Sequence, residues 1–192
     1  MSSSESDTTT QSNRRRNRLM LIGIAALFFG PLIVAAALGW SGWRPAATKA
    51  YGTLIDPPRD VGSVIVQLAD GSAYVWRDPQ WQWTLLALPG SSCAQKCRAA
   101  LEDVLRMRAT LGRNASRLRV LYLGPTLPED VVGALKPLQQ GSSDATAFAG
   151  LRAQGEDSLA LALVDPGGLL MMAYAPGYDV GGVRRDLPKV IN

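Results

Sequence analysis

"LPGSSCAQKC", residues 88–97, holds both cysteines of the 192-residue chain, four positions apart. An apolar run, "WQWTLLAL" at residues 81–88, leads into it, and "RAALEDVLRMRATLG" at residues 98–112 follows. The first run is continuous rather than alternating, which predicts a strand buried on both faces. The second predicts a helix from about residue 94 to 111, with Cys97, Leu101, Val104, Leu105 and Leu111 on one face and Gly112 as its stop. The cysteines therefore sit where a buried strand gives way to a helix.

Working outward, "LRVLYLG" (118–124) reads as a second buried strand. "PED" at 128–130 opens a helix expected to run to residue 140, because proline and acidic side chains suit a first turn. "ATAFAGLRAQ" (145–154) reads as a shorter helix, and "SLALALVDPGGLLMMAYAP" (158–176) as a strand–turn–strand hairpin. A last helix is expected over residues 180–190. Upstream, "SVIVQLADGSAYVW" (63–76) places a hairpin turn at Asp70–Gly71, and Pro57 and Pro58 exclude helix from residues 44–60, read as an extended linker. The order β-β-α-β-α-α-β-β-α implies a mixed sheet with parallel members and an antiparallel hairpin at its edge. A central sheet with a cysteine pair between its first inner strand and the next helix is the thioredoxin arrangement.

The N-terminus differs in kind. Residues 1–13 are polar and predict disorder. Arg14, Arg15, Arg16 and Arg18 precede 21 uncharged residues, "LMLIGIAALFFGPLIVAAALG" (19–39). At 1.5 Å per residue that run is about 30 Å long, the thickness of a bilayer core. Pro31 is tolerated there, and Trp40 and Trp43 suit the headgroup layer. Only Arg44 and Lys49 follow closely, so the charge bias puts the N-terminus in the cytoplasm and the rest outside. "AAALG" contains an A-x-A cleavage pattern, but the apolar run is longer than that of a signal peptide, and "RRRNRLM" matches a twin-arginine signal only loosely. An uncleaved single-pass anchor is the reading. The divisions are 1–18 basic tail, 19–40 transmembrane helix, 41–60 linker and 61–192 thioredoxin-like domain.

Residues 44–192 carry 16 basic and 14 acidic side chains with no basic stripe, which argues against nucleic acid. The chain has no histidine, which removes Ser-His, Cys-His and histidine–metal arrangements and leaves zinc without ligands. Three readings of the cysteine pair stay open. A structural bridge over so short a loop removes little chain entropy, roughly 2 kcal/mol. A redox pair gains from the helix dipole and from Lys96 and Arg98, which favour thiolate. Two thiolates are also soft ligands that select Cu(I). Met171 and Met172 point to opposite faces of a strand, so one is expected in the core rather than on copper. "DPGG" at 165–168 reads as a turn, not a phosphate cradle, and the tryptophans of "WQWT" as packing around the sheet edge.

With the anchor helix, "YGTLIDPPR" (51–59), "WQWTLLAL", "CAQKC" (93–97), "LRMRATLG" (105–112) and "LVDPGGLLMMAYAPGYD" (163–179), the sequence resembles the SCO/SenC family of thioredoxin-like copper-chaperone and oxidase-assembly proteins. It looks closest to a proteobacterial branch associated with cytochrome c oxidase. The resemblance covers about residues 51–190, and its C-x3-C differs from the C-x2-C of ordinary thioredoxins. It implies that Cys93 and Cys97 match the family's metal-binding thiols. The family's third ligand is a histidine ahead of the penultimate strand, where this chain has "GEDSLALAL" (155–163) with Asp157 in its place. A carboxylate is a poor Cu(I) ligand, which moves weight toward thiol–disulfide exchange.

The expected protein is thus an α/β, thioredoxin-like domain behind one transmembrane helix, in the periplasm on a bacterial inner membrane. It would be a candidate thiol–disulfide oxidoreductase or copper donor acting on the copper subunit of cytochrome c oxidase, with Cys93 attacking and Cys97 resolving. The rival is a non-enzymatic accessory of the oxidase with a structural disulfide.

Overall fold

The computed structural model describes residues 6–40, 50–143 and 146–191. The chain divides into two compact units, Met1–Thr48 and Lys49–Asn192. In the first, helix α1 runs over Ser6–Trp40 with Pro31 inside it. Its segment Arg18–Leu38 is long and apolar enough to cross a membrane. Leu27, Phe28 and Phe29 are exposed along it, a pattern that suits lipid rather than a protein core. The polar stretch expected to be disordered is helical from Ser6. It holds no proline or glycine, and adding residues to an existing helix costs far less than nucleating one. Trp43, Arg44 and Lys49 lie outside the described residues, as does the linker over 41–49.

The second unit is built on one seven-stranded sheet in the order β1-β7-β6-β3-β4-β5-β2. The strands are β1 (Thr53–Asp60), β2 (Gln67–Leu68), β3 (Trp83–Pro89), β4 (Leu118–Leu123), β5 (Leu138–Ser142), β6 (Leu159–Val164) and β7 (Leu169–Tyr174). β3, β4 and β5 are parallel, and the other neighbours pair antiparallel. Helices α2 (Gln95–Ala109), α3 (Glu129–Ala134) and α4 (Val180–Val190) connect or close it, with 3-10 turns at Gly112–Arg117 and Thr146–Leu151. This is the mixed, thioredoxin-like sheet that the sequence predicts.

Both faces of the central strands are buried, which explains their unbroken apolar runs. Leu85 and Ala87 of β3, Val120 and Tyr122 of β4, and Leu161 and Leu163 of β6 pack with Leu101, Val104 and Met107 of α2 and Val183 and Leu187 of α4. The alternate residues Leu86, Leu88, Leu121 and Ala162 face Val61, Val66, Tyr74, Trp76 and Phe148. The second face is therefore roofed by the hairpin segment and a 3-10 turn rather than by long helices. Tyr74 Oη lies 2.7 Å from Thr84 Oγ1, and Arg119 stacks 4.7 Å from the Tyr74 ring centre while pairing with Asp78 at 3.1 Å. The turn at Asp70–Gly71 forms as expected, with Gly71 N–H donating to Leu68 O at 2.9 Å.

Several sequence expectations need correction. Residues 53–60 are not linker but the edge strand β1, so the domain begins near Ala50 rather than at 61. Because β1 covers β7, the β6–β7 hairpin is not an edge of the sheet. The helix expected to reach residue 140 stops at Ala134, and "LQQGS" becomes β5 beside β4. Pro137 supplies no backbone N–H and its ring would clash with the preceding turn. The short helix at 145–154 is a 3-10 turn. Trp83 is half-buried against the core, but Trp81 is 68% exposed at φ 54° and does not pack at the sheet edge. Met172 is buried and Met171 only partly so, as alternation requires.

Candidate functional site

β3 is the central strand of the sheet, and its buried residues fix where the chain leaves at Pro89. Gly90 follows, and its N–H donates to Ser158 O at 3.1 Å. A Cβ at Gly90 would fall onto the carbonyl oxygen of Gly155, so the close approach of these two loops requires glycine. The N–H and Oγ of Ser92 both donate to Glu156 O at 3.0 Å. The loop carrying Cys93 is thereby stitched to the segment just ahead of β6.

Cys93 and Cys97 are joined by a disulfide, with Cα atoms 5.0 Å apart. Cys93 lies before the N-cap residue Ala94, and Cys97 lies in the first turn of α2, packed in the core. Cys93 is 8% exposed and Cys97 is fully covered, so any reagent meets Cys93 first. Arg98 Nε donates to Cys93 O at 3.2 Å, which brings a guanidinium to the rim of the loop. Beside it, Ala94, Gln95, Arg98, Ala99 and Glu102 line a shallow hollow of about 420 Å3. Behind the site, Tyr122 donates to Pro125 O at 3.0 Å, and burial pushes its hydroxyl up to about 12 against the pull of Arg152 and Arg98.

Ala94 has no side-chain acceptor for the open N–H groups of the helix start. Asp157 supplies it from across the fold. Its Oδ1 accepts from Ala94 N–H at 2.8 Å and Cys97 N–H at 2.9 Å, and its Oδ2 from Lys96 N–H at 2.9 Å. These bonds, with that to Cys97 foremost, hold the carboxyl below its ordinary range. The resemblance places Asp157 at the position of the family's ligand histidine, as a carboxylate poorly suited to Cu(I). The structure brings it beside the cysteines, but as the cap of α2. The missing signal was the empty N-cap at Ala94, which a helix start normally fills with Ser, Thr, Asp or Asn.

This arrangement does not fit a three-ligand copper centre. The two sulfurs are bonded to each other, and both Asp157 oxygens are engaged by backbone donors. Among the described residues no three His, Cys, Asp or Glu side chains are grouped to hold a metal ion. The chemistry the site offers is that of a dithiol–disulfide couple.

Fold and site together define a thioredoxin-like domain with an oxidised cysteine pair at the start of the helix that follows its central strand. Residues 83–192 match the family model described as "Transmembrane-like, thioredoxin-like, C-terminal domain", and the chain belongs to that family. Among solved structures, yeast Sco1 is similar at a TM-score of 0.55 and 16% identity, covering 70% of this chain and 96% of its own. Yeast Sco1 with copper bound gives 0.51 at 12% identity, covering 69% and 89%. A thioredoxin-like protein from Aeropyrum pernix gives 0.50 at 10% identity, covering 67% and 90%. At these identities the likeness is one of fold. No curated protein matches the chain.

Proposed function

We propose that the protein is a membrane-anchored thiol–disulfide exchange protein. The observation that carries the reading is the Cys93–Cys97 disulfide at the N-terminus of α2, with Cys93 on the accessible side. In the reduced protein the Cys93 thiolate attacks a disulfide of the partner, forming a mixed disulfide and releasing one partner thiolate. The Cys97 thiolate then attacks Cys93 Sγ, closing the Cys93–Cys97 bond and releasing the second partner thiolate. The partner disulfide gains two electrons and the protein's pair loses them.

The resemblance to SCO/SenC proteins supports a finer reading. The domain serves assembly of a respiratory oxidase, reducing cysteines of its copper subunit, and is held in the periplasm by an inner-membrane helix with a cytoplasmic N-terminus. Copper as cargo is the second reading: the sulfurs of Cys93 and Cys97 are close enough that, once reduced, they form a soft two-donor site for Cu(I). The test is a Cys97→Ala variant expressed in the native membrane. It should accumulate mixed disulfides through Cys93, because no second thiol remains to resolve them. Absence of any trapped partner, with a reduction potential below roughly −300 mV, would leave the disulfide structural. Cu(I) titration of the reduced Cys93→Ser and Cys97→Ser variants tests the cargo reading, which predicts loss of binding in both.

A further inference from the structure

We propose that Asp157 is a positioning residue that sets the redox equilibrium of the Cys93–Cys97 pair, its negative charge on the α2 N-terminus holding the pair oxidised; this rests on the exchange function proposed above. The first N–H groups of a helix carry its partial positive charge, and this is the field that stabilises a thiolate in disulfide oxidoreductases. In this chain the N–H groups of Ala94, Lys96 and Cys97 all point at the Asp157 carboxylate instead. One of those donors belongs to Cys97 itself, so the carboxylate charge sits within one residue's span of a reacting sulfur.

Reduction takes two electrons into the S–S bond and yields two sulfurs that carry either protons or negative charge. Any thiolate that forms does so beside a carboxylate already occupying the helix end. The reduced state therefore loses stabilisation that the oxidised state never needs. Lys96 and Arg98 act in the opposite direction. Lys96 also attracts Asp157, and Arg98 is tied to Cys93 O at 3.2 Å. Asp157 thus offsets the cationic side chains that the sequence alone would read as making the pair oxidising.

The test equilibrates the full chain in detergent with dithiothreitol of defined redox ratio and counts free thiols by mass after alkylation. Asp157→Asn keeps one oxygen acceptor and removes the charge. It should shift the equilibrium toward the dithiol by tenfold or more, about 30 mV for a two-electron couple. Lys96→Gln, which leaves the cap in place, should shift it severalfold toward the disulfide. If Asp157→Asn stays within twofold of the parent, or if Lys96→Gln leaves the equilibrium unmoved, the assignment is overturned and Asp157 is a cap only. Failure of the exchange function is a separate result. Cys97→Ala would then trap no partner, while a tenfold shift in the dithiothreitol equilibrium would still support the role of Asp157.

Discussion

Asp157 and Cys97 meet at 2.9 Å, carboxylate to backbone N–H, although 60 positions of chain separate them. The bond ties the segment entering β6 to the first turn of α2, so the loop that holds the disulfide is fixed from both sides. Its strength depends on the charge of Asp157, and that makes it sensitive to acid.

The folded-state pKa of Asp157 lies below the ordinary aspartate value, first because of the Cys97 and Lys96 N–H donors. Its contribution to stability is therefore complete above the unfolded value of about 3.9 and is lost as pH falls through the folded one. Urea unfolding of the oxidised protein, followed downward from pH 5, should show a decline that is shallower in Asp157→Asn than in the parent. Equal slopes would mean that the carboxylate is not engaged in solution.

Asp186 is buried on α4 and accepts from Tyr51 N–H at 2.7 Å, Gly52 N–H at 2.9 Å and Lys189 Nζ at 2.9 Å. Asp186→Ala removes the acceptor of the Tyr51 and Gly52 N–H groups and should cost about 1–3 kcal/mol. Hydrogen exchange should rise first in β1, whose entry the carboxylate holds. A loss spread evenly over the sheet would argue against that local role.

Residues 50–192 should fold without helix α1, since the sheet and its helices bury one another's apolar faces. A protein beginning at residue 61 should not, because it lacks β1 and uncovers β7. Circular dichroism and thermal melting of the two truncations decide the boundary.

Gly90→Ala places a methyl group against the Gly155 carbonyl oxygen. Backbone has little room to yield, so the substitution should destabilise by about 1–3 kcal/mol, typical of overpacking. It should also slow re-formation of the disulfide after reduction, which alkylation-quenched mass spectrometry would follow. Unchanged stability would mean that the two loops separate in solution.

The central part of the fold was legible because its signals are local. The unbroken apolar run of β3, the helical spacing after Cys97 and the glycine at 112, which has φ 59°, all speak within a few residues. β1 was hidden because its side chains are mostly exposed and it carries Pro57 and Pro58, which a strand accepts only at an edge. β5 was hidden because "LQQGS" is polar and is recruited to the sheet by pairing with β4 rather than by its own pattern. At the site, both cysteines could be placed from sequence. The capping role of Asp157 could not, because it depends on how β6 is brought beside β3 and not on any spacing along the chain.

The proline pair in β1 has one more consequence. β1 is the outer strand on its side of the sheet, and its register against β7 breaks between Leu54 and Arg59 across those prolines. An edge without regular donors is a poor template for a foreign strand. Such a flank resists the edge-to-edge aggregation that an open sheet invites, whatever the local concentration of neighbouring copies.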